Sequence, residues 1–122
     1  MTRIYLTKNF VRWAGSEGLT DDVLKQAVAD MDDGLIDANL GGLIYKKRVG
    51  VHGQGKRSGL RTIVGFKSGD TAFFVYGFSK NQKDNISTKE KAAFKEMAKE
   101  LFKLTDAQLQ LATKNRALKQ IF

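Results

Sequence analysis

The stretch GLIYKKRVGVHGQGKRSGLRTIVGFKSGDTAFFVYGF, Gly42 to Phe78, decides how this chain folds. Its middle imitates a nucleotide phosphate loop, because four residues separate Gly50 from Gly55-Lys56, as in G-x-x-x-x-G-K-[ST]. Arg57 stands where that motif needs a hydroxyl for Mg²⁺. The flanks are also wrong. A phosphate loop opens a helix, whose N-terminal N–H groups hold the anion. Here the loop is followed by RSGLRTIVGF, rich in β-branched residues and interrupted by Gly59 and Gly65, which disfavour a helix. GLIYKKRVGV before it also reads as a strand. The loop therefore joins two strands, and KSGD (Lys67 to Asp70) makes a tight turn into a third. Strands are expected near 43–51, 60–67 and 71–78, the last (AFFVYGF) apolar enough to be covered on both faces.

Outward from this block, RIYL at the N-terminus is expected as an edge strand, and Phe10, Val11, Trp13 and Ala14 suit a helix. Thr20 caps a second helix whose Val23, Leu24, Ala27, Val28 and Met31 form one apolar face, with Gly34 ending it. Ser87-Thr88-Lys89-Glu90 is a capping box for a third helix, which buries Phe94, Ala98, Leu101 and Phe102. A fourth, additional helix is expected at about 105–118. The expected fold class is α+β: N-terminal helices, a curved and mainly antiparallel sheet, then C-terminal helices, in one domain over residues 1–122.

Charge narrows the function classes. The net charge is +8, and no acid lies between Asp37 and Asp70, where seven Lys and Arg residues fall. Such segregation marks a surface that meets polyanions. The absence of cysteine removes disulfides, thiol catalysis and zinc knuckles. No apolar run is long enough for a membrane span, so the expectation is a cytoplasmic protein with no membrane partner. Metal and cofactor are expected to be absent. There is a single histidine, and the acids of DMDDGLID miss the calcium-loop spacing, with Gly41 where the closing acid belongs. Phosphodiester chemistry without a metal remains open, because RNA carries its own nucleophile, the 2′-OH. The protein then needs cations to stabilise the developing charge, and a base. A lysine crowded by like charges can serve, as can His52, a residue type that titrates near neutrality.

The segments KKRVGVHGQGKRSGLRTIVGF and AFFVYGFSKNQKDNIS, with FVRWA near the start and GLIDANLGG before the block, resemble the RelE/HigB group of toxins from bacterial type II toxin–antitoxin pairs. The likeness spans roughly residues 3–103. It implies a RelE-like fold that enters the ribosomal A site and cleaves mRNA with the RNA 2′-OH and no metal. It also implies a cognate antitoxin with a DNA-binding domain. By position it assigns phosphate and catalytic roles to Lys46, Arg48, Arg61 and Lys80, with His52 as a further candidate acid–base group. RNA contacts fall to Lys47, Lys56, Arg57 and Lys83. Two positions depart from some members: Asn81 replaces a second phosphate-binding arginine, and Ser87 a stacking tyrosine. Tyr45, Tyr76 or Phe78 could supply an aromatic platform instead. The general base stays unassigned, and two other functions stay open: a gyrase poison of the related ParE type, and a non-catalytic basic nucleic-acid-binding module.

Overall fold

The protein is described from a computed structural model covering residues 1–51 and 55–122, with side chains described outside 51–58. The expectations placed on His52, Lys56 and Arg57 lie outside the described side chains. Ten elements follow in order: β1 (Arg3–Thr7), α1 (Lys8–Ser16), α2 (Asp21–Asp32), β2 (Ala38–Gly41), β3 (Ile44–Val51), β4 (Gly55–Lys67), β5 (Thr71–Ser79), α3 (Thr88–Phe102), α4 (Asp106–Lys114) and β6 (Leu118–Gln120). They form an α+β fold around one six-stranded sheet of order β2-β3-β4-β5-β1-β6. Every pairing is antiparallel except β1 with β5. No helix among the described residues is long and apolar enough to cross a membrane.

The sheet is buried on both faces because its central strands are apolar at successive positions, not at alternate ones. On one face, Phe10 and Ala14 of α1 and Leu24, Val28 and Met31 of α2 pack on Leu6, Val49, Leu60, Val64, Phe66 and Phe74. On the other, Ala98 of α3 and Leu109 of α4 pack on Tyr5, Ile44, Ile63, Phe73 and Phe78. In β5 the register slips between Ile63↔Tyr76 and Val64↔Phe74, leaving Val75 unpaired with β4. This β-bulge puts Val75 and Tyr76 in the same core. Gly77 then faces α1, where the indole of Trp13 lies so close that a Cβ would sit 2.1 Å from it.

Two expectations change. β1 is not an edge strand: it lies between β5 and β6, because the chain's end returns antiparallel to it with Tyr5 opposite Gln120. That return is possible because the last helix stops at Lys114, short of residue 118. Arg116 takes a left-handed conformation (φ 63°), while its N–H bonds the Thr113 carbonyl and the Ala117 N–H bonds that of Ala112. These paired bonds form a Schellman stop built on an arginine in place of the usual glycine. α2 ends in the same way with the expected glycine, Gly34 at φ 87°.

Candidate nucleic-acid interface

Successive residues of a strand point to opposite faces, and this rule sorts the basic run of β3. Lys46 and Arg48 share the face of Ile44, towards α3, while Lys47 shares the face of Val49, towards α2. The neighbouring strands continue the first face. Arg48 lies opposite Arg61 on β4, and Arg61 opposite Phe78 on β5. One step along, Lys46 lies opposite Ile63, and Ile63 opposite Tyr76. Lys80, exposed just past β5, joins the row where its N–H bonds the Gly59 carbonyl at 2.9 Å. The structure thus brings Lys46, Arg48, Arg61 and Lys80 to one end of one sheet face. α3 covers the face further along, where Ala98 and Phe102 approach Gly65.

Two arginines directly opposite each other on neighbouring strands repel, and such pairs are destabilising unless something offsets them. Part of the offset is Asp37. Its two carboxylate oxygens accept hydrogen bonds from the Arg48 backbone N–H (2.6 Å) and the Arg48 Nε (2.8 Å). Burial pushes the Asp37 carboxyl up, but these two hydrogen bonds and the charges of Arg48 and Lys47 outweigh it and hold the group below its ordinary value. Among the described residues Arg61 has no such partner. Its Nη1 is buried without a hydrogen bond among the described residues. A buried guanidinium N–H left unmet costs on the order of 1–3 kcal/mol. Gly59, at φ 75°, keeps the backbone beside Arg61 free of a side chain.

The other expected positions divide. Lys47 is corrected: its side chain is 2% exposed, and its Nζ donates to the Leu35 carbonyl (2.9 Å) near Asp30 (3.8 Å). In this fold it fastens β3 to the end of α2 and is not presented to RNA. Lys83 is half-buried beside the row and already engaged. It pairs with Glu90, donates to the Tyr76 hydroxyl at 3.4 Å, and lies 5.3 Å from the Tyr76 ring centroid. The Glu90 hydrogen bond, foremost, raises the Lys83 pKa, and the same bond lowers that of Glu90. Ser87 is committed elsewhere too: it caps α3, accepting the Glu90 N–H at 3.0 Å. Among the described residues, no group of three His, Asp or Glu side chains converges as a metal centre would require. Asp37 went unnoticed in the sequence, although a signal was there: it is the last acid before the acid-free block.

Comparison with known proteins bears on the family and the fold. Residues 2–121 match the family described as the RelE toxin of the RelE/RelB toxin–antitoxin system. No curated protein and no solved structure matches the chain. With nearly its whole length matched and the expected α+β architecture in place, the chain belongs to the RelE toxin family, the toxin halves of toxin–antitoxin pairs.

Proposed function

We propose that this toxin is a ribosome-dependent mRNA endoribonuclease that cuts with the RNA's own 2′-OH. The observation that carries the reading is the facing pair Arg48 and Arg61, two cations side by side, one of them with a buried N–H that finds no acceptor among the described residues. A phosphodiester brings the missing charge and the missing acceptor together. In the reaction the 2′-oxygen attacks the adjacent phosphorus, the 5′-oxygen leaves, and a cyclic phosphate and a 5′-hydroxyl result. Charge builds on the non-bridging oxygens, where fixed guanidinium groups stabilise the transition state more than the ground state. A planar arginine fork can engage two of those oxygens at once. Lys46 and Lys80, at the margins of the row, would neutralise phosphates or protonate the leaving oxygen.

No strong base stands beside Arg61 among the described residues. A site of this kind gains most from a partner that bends the RNA into in-line geometry, since orientation alone can be worth several orders of magnitude in rate. The ribosomal A site would supply that alignment, and the cognate antitoxin would block it by covering the basic face. The row also favours RNA cleavage over gyrase poisoning, which requires no phosphate-stabilising cluster. Primer extension on cellular mRNAs after brief induction tests the reading. Discrete cuts inside translated codons are expected, whereas intact mRNA with damaged DNA would assign the chain to gyrase.

A further inference from the structure

We propose that the groove along the open edge of β5 is a binding site for a nucleobase of single-stranded RNA, the base adjoining the phosphate held by Arg48 and Arg61; this rests on the ribonuclease reading above. β1 pairs with β5 only as far as Phe74. Beyond that point the β5 edge lies between α1 and α3, at the floor of a cavity of about 520 Å³. Trp13 of α1 forms one wall and Phe94 and Met97 of α3 another, with Tyr76 stacked on Phe94 at 4.9 Å and 30°. Met97 is 40% exposed, so this apolar wall is open to solvent. Asn9 and Gln82, both exposed, also line the cavity.

Aromatic walls with amide side chains at the mouth suit a flat heteroaromatic ring whose edge carries donors and acceptors. Bases of single-stranded RNA are held by stacking on aromatic side chains, and amides read their edges. Phe78 links the groove to the phosphate row, since it lines the groove and lies opposite Arg61. Adjacent strands are roughly 4.8 Å apart, so the open edge beyond β5 lies about two spacings from β4, a gap that the Arg61 side chain and one nucleotide would bridge together. The alternative occupant, an extended peptide adding to the β5 edge, fits less well. The Val75 bulge breaks the regular ladder, and the Val75 carbonyl already accepts the Thr7 hydroxyl at 3.5 Å. Bulged edges resist strand addition.

Trp13 is the chain's single tryptophan, so its fluorescence reports on the groove directly. The full chain is titrated with 3′-phosphorylated ribodinucleotides carrying each of the four bases, and with the abasic sugar–phosphate equivalent. Base-containing ligands should quench Trp13 and bind roughly 5- to 100-fold more tightly than the abasic one. Asn9→Ala and Gln82→Ala should narrow the spread of affinities among the four bases. Equal affinity of abasic and base-containing ligands, or saturable binding that leaves Trp13 unquenched, would overturn the proposal. So would quenching by an extended antitoxin peptide where dinucleotides give none, which would assign the groove to protein. Because the titration needs no cleavage, its failure is separable from failure of the ribonuclease reading, which primer extension tests independently.

Discussion

Arg48 and Asp37 show how single residues set this surface. The carboxylate takes the Nε of Arg48 and its backbone N–H, which fixes the base of the guanidinium group. Because the folded-state pKa of Asp37 lies below its ordinary 3.8, the pair stabilises the fold at pH values above that figure. The contribution fades as pH falls through the lower, folded value. Asp37→Asn should therefore reduce stability at neutral pH, and the gap to wild type should close as urea unfolding is repeated towards and below pH 3.8. A gap that stays constant over that range would deny the ion pair its role. Lys47 tests the opposite kind of residue. Lys47→Ala removes a buried cation from beside Asp30 and leaves a cavity, so it should cost on the order of 3 kcal/mol in denaturant unfolding. It should leave the salt dependence of ribosome binding unchanged, whereas Arg48→Ala should shallow that slope by about one phosphate contact. Lys46-Lys47-Arg48 looks like one basic cluster in the sequence, and the two-residue period of a strand is what separates its members. That rule was available without a structure. The Asp37 clamp was not, because its partner is eleven residues away across a strand pair.

Elements with strong local chemistry were the most legible. The capping residues Thr20 and Ser87 sit where α2 and α3 begin, and Gly34 sits where α2 ends. Two of the three strands of the block, Ile44–Val51 and Thr71–Ser79, lie close to the expected spans, whereas the middle one, Gly55–Lys67, begins well before the expected residue 60, inside the stretch read as the loop. The misses share a cause, because they are elements that exist only through tertiary pairing. β6 has three residues and no periodic pattern, and β2 has four. β1 becomes an interior strand only because β6 docks beside it. The packing of α1 on β5 is likewise hidden from any local pattern and depends on Gly77 lacking a side chain under Trp13. Gly77→Ala should cost about 1–3 kcal/mol by overpacking and shift the Trp13 emission, as read by unfolding followed through fluorescence. An alanine variant of wild-type stability would mean that the indole is not wedged there.

At the scale of the whole molecule, the sheet buries its apolar residues under two pairs of helices and leaves one end of one face to the cations. The acids sit in the helices and turns around it, so the net charge of +8 is felt most strongly at that end. An acidic antitoxin segment should therefore associate quickly, with a rate that falls steeply as salt rises. Stopped-flow association at several ionic strengths reads this directly, and a salt-independent rate would place the antitoxin contact elsewhere. The central claim, that the arginine row stabilises charge in a phosphoryl transition state, is tested most directly by single-turnover cleavage on programmed ribosomes with wild type and Arg61→Ala. The variant should remain folded and bind ribosomes, cut roughly 10²–10³-fold more slowly, and respond to a metal chelator no more than wild type does. A folded Arg61→Ala protein cutting at the wild-type rate would contradict the account.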